Sequence, residues 1–192
     1  MLQQGRPRWK GMAGFRTMSG ATREGETMAL EIRMFGDPVL RSRAMPVEEF
    51  DESLRRLTGQ MLETVRAAEG RAALAANQVG RLKRVFVAAM GEEEYVIVNP
   101  VIEEKTREIQ MDFEGCLSIP GIWVEVERAL GVVVTGRDAE GEPVRFEARG
   151  PLARMMQHEI DHLDGILMLD RTDRGSRRRA MRELRERMLA QS

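Results

Sequence analysis

Hydrophobic positions along this chain change their spacing twice, and each change marks a change of predicted structure. Phe50, Leu54, Leu57, Met61, Val65 and Ala68 recur at three- and four-residue intervals, one face of a helix, and Gly70 follows as a C-cap. The spacing then tightens. "RVFVAA" at 84–89, "YVIVNPVI" at 95–102 and "LGVVVTG" at 130–136 are short runs rich in β-branched residues, and "DAEG" at 138–141 is a turn leading into "PVRFEAR". Helical spacing returns at Gly150-Pro151, with proline at the first helical position. There Leu152, Met156, Ile160 and Leu163 share a broad apolar face with Met155, while Arg154, Gln157, Asp161 and Asp164 are expected to point away from it. A last amphipathic segment over 175–190 sets Met181, Leu184 and Met188 on one side and arginines elsewhere. "FGDPVL" at 35–40 reads as a turn, and no internal repeat is visible. Helix, then strands, then helix predicts an α+β fold with antiparallel sheet.

Residues 1–27 show no such periodicity. Scattered Gly, Ser, Thr and Pro make them a flexible N-terminal extension, with Met28 the natural start of a single domain over 28–192. No apolar h-region marks a secretory signal, and the glycines with Pro7 argue against an amphipathic transit peptide. A length of 192 residues with 32% charged and 5% aromatic side chains suits one soluble globular domain. No apolar run reaches the length of a membrane span. The single cysteine, Cys116, has no partner for an internal disulfide, so a reducing compartment is expected: the cytoplasm, with an organelle left open.

Charge adds a second layer. Residues 1–23 carry Arg6, Arg8, Lys10, Arg16 and Arg23 and no acid; residues 171–192 carry eight arginines against three acids. Removing both from the totals of 30 basic and 31 acidic residues leaves an acidic body, with 17 basic and 28 acidic residues between two basic ends.

The chemistry is concentrated in "QHEIDHLDG", 157–165. His158 and His162, one helical turn apart, project side by side, with Glu159 on or beside the apolar face. A carboxylate among apolar residues is costly unless it is paired or working. H-E-x-x-H is an arrangement in which both histidines bind a divalent metal and the glutamate is a general base. Such a short pattern also occurs by chance, but here it contains both histidines of the chain. After histidine the best third ligand is a thiolate, and Cys116 in "EGCLSIPG" is the one on offer, although a lone cysteine is more often a small buried hydrophobe. Three protein ligands would leave a position open for water, the catalytic rather than the structural pattern.

"EGCLS" at 114–118, "HEIDH" at 158–162 and "LAANQVG" at 74–80 together resemble the three motifs of the peptide deformylase family, and the resemblance extends from about Met28 to Arg171. It implies antiparallel sheets wrapped round a central helix bearing HExxH, and removal of the N-formyl group from nascent chains that begin with formyl-methionine. On matching positions it implies Cys116, His158 and His162 as metal ligands and Glu159 as general acid/base in hydroxide attack on the formyl carbon. Gln78 and the backbone N–H of Leu117 would form the oxyanion hole. It implies one divalent metal, Fe²⁺, with Ni²⁺ or Co²⁺ as working substitutes, although the ligand set alone suits Zn²⁺. Without the resemblance, Gln78 reads as a side chain that caps a turn.

The first motif departs from the family pattern. Gly-x-Gly-Leu-Ala-Ala-x-Gln is replaced by Arg71-Ala72-Ala73-Leu74-Ala75-Ala76-Asn77-Gln78, so both glycines are missing. Ala72 and Ala73 would line a narrowed peptide groove together with Gly115, Trp123 and Met155. Trp123 stands where relatives often have a basic residue, which makes the cleft mouth more apolar. Glu114 and Arg128 are expected to form an ion pair bracing the cysteine loop, the bland alternative being two unrelated surface charges. The arginines of 175–190 match a helix that docks on ribosomal phosphate near the emerging substrate, against a default of a solvated charged face. DNA and membrane partners are not expected. Two rivals stay in view, a zinc peptidase and a non-enzymatic ribosome-associated factor with a structural metal. Mutation of Glu159 distinguishes them from the deformylase reading.

Overall fold

The computed structural model describes residues 29–67 and 72–190. Residues 1–27 and the predicted C-cap at Gly70, with Ala68 and Arg71, lie outside the described residues. The first helix, α1, spans Glu52–Ala67 and buries Leu54, Leu57, Met61 and Val65. It starts just after Phe50 because the Asp51 carboxylate accepts from the Leu54 N–H at 2.9 Å, satisfying a free donor of the first turn.

Seven strands follow: β1 Ala72–Ala75, β2 Val85–Met90, β3 Glu93–Lys105, β4 Ile109–Cys116, β5 Ile119–Ala129, β6 Gly131–Arg137 and β7 Pro143–Arg149. Three helices close the described chain: α2 Pro151–Leu163, the single turn α3 Met168–Arg171 and α4 Arg174–Ala190. "FGDPVL" holds a one-turn 3-10 helix, Pro38–Arg41, capped by the Asp37 side chain. All strand pairs are antiparallel. Five strands form one sheet in the order β1-β2-β3-β6-β7, and β4 and β5 form a separate two-stranded ribbon.

The period of two along β2 shows why the larger sheet is buried on both sides at this strand. Phe86 and Ala88 face the cluster containing Ala153, Met156, Ile160 and Leu163 of α2, while Val85 and Val87 face the cluster containing Leu54, Leu57, Met61 and Val65 of α1. Each of these side chains larger than alanine, fully buried, contributes about 1.5–3 kcal/mol. A third cluster joins Ile119, Ile122, Val124 and Val126 of β5 to Leu167, Met168, Leu169, Ala180 and Leu184. Helix α2 is thereby central, as expected.

That enclosure corrects two expectations. Gln157 and Asp161 do not face solvent; both are buried, at 4% and 7% exposure. Gln157 accepts from the Ala129 N–H at 3.2 Å and donates to the Ala129 carbonyl at 2.9 Å, tying α2 to the end of β5. In α4, Ser176, Ala180 and Leu184 form the buried stripe and Met181 is 40% exposed. Two of these three, Ser176 and Ala180, are small, so the stripe follows size as well as hydrophobicity. The side chain of Met188 is outside the described set. Gly165 ends the α2 segment with φ +74°, and a Cβ there would meet the Arg41 carbonyl oxygen at 2.5 Å. Glycine is required on both counts.

Candidate metal centre

The ligand atoms of Cys116, His158 and His162 all lie within 4.8 Å of one another. The histidines come from successive turns of α2. Cys116 ends β4, where a register shift between Glu114 and Cys116 redirects the strand. Its Sγ is 3.2 Å from His162 Nε2. His158 Nδ1 donates to Glu114 Oε2 at 2.9 Å, which fixes the ring and leaves Nε2 for the ligand side. Burial holds His162 well below the usual histidine range, in the neutral form that binds metal. One soft thiolate and two oriented imidazoles fit a mononuclear divalent ion with an open position.

Behind the ligands runs a chain of charges. The Arg128 guanidinium grips Glu114 with Nε–Oε1 at 2.9 Å and Nη2–Oε2 at 3.0 Å, both residues being nearly inaccessible. Arg154 Nη1 adds a contact to Glu114 at 2.9 Å. On its other side Arg128 reaches Asp161 at 2.5 Å, and Asp161 also takes Arg171 through two bonds, at 2.6 and 2.9 Å. The expected Glu114–Arg128 pair therefore exists and is buried and bidentate rather than a surface contact. Burial opposes ionisation of Glu114, but His158 and Arg128 together hold its carboxyl well below the usual range.

Glu159 points into the site. Burial pushes its carboxyl up to about 7, and its Oε2 is buried with no hydrogen-bond partner among the described residues. A group with its proton balanced near neutral pH and a free oxygen in a cleft is equipped to exchange that proton. Gln78, at 1% exposure, is oriented by its own turn: Oε1 accepts from the Ala75 N–H at 2.9 Å, so Nε2 faces Ser118 Oγ at 3.1 Å and Cys116 Sγ at 3.5 Å. It both caps the turn and presents donors to the site. Leu117 occupies the two-residue turn after Cys116.

The cleft measures about 580 Å³ and includes Ala73, Gln78, Gly115, Leu117, Trp123 and Met155 in its wall, with Cys116, His158 and Glu159 at its base. Ala72 is in β1 opposite Ala89, and its side chain is not among those described. Trp123 is 66% exposed, and its ring lies on Gly115, where a Cβ would meet the ring atoms at 3.0–3.1 Å. Four supporting residues were missed by the sequence reading. Ser118, fully buried, meets Gln78; Asn77 donates to the His162 carbonyl; Arg154 and Asp161 complete the charge chain. Ser118, Asn77 and Asp161 lie inside the three motifs, so position was a signal for them, whereas nothing local marked Arg154.

A helix-borne HExxH beside a strand-end cysteine, set between two antiparallel sheets, is the arrangement of a metal-dependent hydrolase. A sequence profile of polypeptide deformylases matches residues 29–178. The chain is 49% identical over 159 residues to peptide deformylase 1 of Corynebacterium glutamicum, covering 81% of this chain and 94% of that protein. The crystal structure of peptide deformylase from Thermotoga maritima superposes with a TM-score of 0.73 at 44% identity, over 76% of this chain and 99% of that one. That of the Synechococcus elongatus enzyme in complex with actinonin gives 0.78 at 38% identity, over 85% and 91%. The chain belongs to the polypeptide deformylase family. It is a metal-dependent hydrolase that removes the formyl group from nascent peptides, and neither rival reading is supported. Among the described residues no helix is long and apolar enough to cross a membrane.

Proposed function

We propose that Cys116, His158 and His162 hold one Fe²⁺ ion, and that Glu159, Gln78 and the Leu117 N–H carry out deformylation around it. The observation that carries this reading is the convergence of three ligand atoms within 4.8 Å beside the partnerless Glu159 oxygen. The bound ion supplies Lewis acidity, lowering the pKa of water at the site and polarising the formyl oxygen. Glu159 accepts the proton of the attacking water and returns it to the departing amine, which must leave protonated. Gln78 Nε2 and the Leu117 N–H donate to the oxygen on which charge develops, each preset by its turn before substrate arrives. Strand β1 is at the edge of its sheet with Ala73 on the cleft wall, which supports an extended peptide lying along it.

Exposed Arg174, Arg178, Arg182 and Arg185 of α4 support docking on ribosomal phosphate, and a cytoplasmic setting with it. The test is turnover of formyl-Met-Ala-Ser by protein prepared anaerobically with Fe²⁺, with metal assayed on the same sample. One ion per chain with turnover is expected, and Cys116→Ala should lose both. Full metal occupancy in Cys116→Ala would exclude the thiolate as a ligand.

A further inference from the structure

Four large apolar side chains stand in solvent on one face of the β4–β5 ribbon: Ile109 at 60% exposure, Met111 at 57%, Phe113 at 58% and Trp123 at 66%. The register explains the row. Ile109, Met111 and Phe113 alternate along β4, and the next position in the series, Gly115, carries the Trp123 ring. The opposite face of the ribbon is satisfied, with Glu114 in its ion pairs and Val124 and Val126 in the core. Single exposed hydrophobic residues need no account, but a contiguous row that ends at a working cleft does. Phe113 and Trp123 are also part of the cleft wall, beside Cys116.

We infer that this row is an exosite for the nascent chain itself, gripping residues downstream of the formyl-methionine. The inference rests on the deformylase reading and adds a sequence preference to it. At about 3.3 Å per residue the strand from Ile109 to Gly115 spans roughly 20 Å, room for about six residues of extended peptide. Glu127 stands opposite Met111 and Glu125 opposite Phe113 on the same face. The row therefore selects apolar segments with interspersed basic residues and disfavours acidic ones. A second copy of this chain is the weaker occupant, because a symmetric contact through this face would bring the same acids against each other.

The test compares three formyl-Met-Ala-Ser peptides of equal length, extended by an apolar-basic, a Gly-Ser or an acidic segment. The apolar-basic extension is expected to raise kcat/KM about tenfold over Gly-Ser, through KM, the worth of one buried aliphatic side chain. The acidic extension should fall at or below Gly-Ser. The double variant Ile109→Ser/Met111→Ser should abolish the gain and leave turnover of unextended formyl-Met-Ala-Ser unchanged. Equal values for all three extensions, or a gain that survives the double variant, overturns the inference. A dimer in sedimentation that the double variant dissolves, with no extension effect, assigns the row to self-association instead. Unextended substrate reports separately on the catalytic reading. Fluorescence anisotropy of the labelled, already deformylated apolar-basic peptide decides the exosite without catalysis.

Discussion

The α2 helix and the β4–β5 ribbon meet at the candidate metal centre, and they place their candidate ligands by different means. In α2 the backbone itself does the placing. Any helix over 158–162 sets the two imidazoles side by side, and the apolar packing of Met156, Ile160 and Leu163 rotates them inward. In the ribbon, one loose end of a two-stranded sheet must deliver a thiolate to the same point. It does so through the register shift before Cys116 and through Glu114, which is anchored by Arg128 and Arg154 and in turn holds His158. The helix brings its two imidazoles together by backbone geometry, with Glu114 fixing the His158 ring, whereas the ribbon relies on a register shift and a buried network to place its end.

Disabling the reaction while sparing both regions should give the largest effect. Glu159→Gln is expected to lower kcat by about 10²–10⁴-fold with metal content unchanged, read by steady-state kinetics and metal analysis on one sample. Gln78→Leu should come next, at about 10²–10³-fold in kcat, because the amide donor is lost from the ribbon side of the site. Glu114→Ala attacks the network itself. With the carboxylate shared by Arg128 and Arg154 removed and Arg128 left to Asp161 alone, it should cost about 3 kcal/mol in denaturant unfolding. It should also weaken metal binding about 10–100-fold, as measured by competition with a chelator. A wild-type melting curve for Glu114→Ala would mean that the ribbon needs no such brace. Smallest of all, Ala73→Gly should change KM for formyl-Met-Ala-Ser by no more than about threefold and leave kcat alone, since the methyl group forms part of the wall and touches none of the chemistry.

The same contrast decides what was legible beforehand. Local periodicity announced α1, α2 and β2, and the pairing of His158 with His162 followed from helix geometry. Strand β5 went unpredicted because its long alternating pattern is interrupted by Arg128, whose partners Glu114 and Asp161 lie elsewhere in the chain. Asp161 and Gln157 were misplaced for a related reason: an amphipathic pattern presumes one wet face, and α2 has none. Gln78 was ambiguous because it performs both duties, with one end of its amide capping a turn and the other facing the thiolate. The family motifs filled these gaps only at matching positions, which is why Arg154 and Arg171 surfaced with the structure.

The stacking of Trp123 on Gly115 also has an optical consequence. The chain has two tryptophans, Trp9 and Trp123, so Trp9→Phe leaves a single indole, lying within a residue of Cys116, the sulfur ligand proposed above. Its emission should shift when a peptide covers the cleft and be quenched when Co²⁺ or Ni²⁺ loads the site. One fluorescence titration would then follow ligand entry and metal exchange from the same residue, with no label attached.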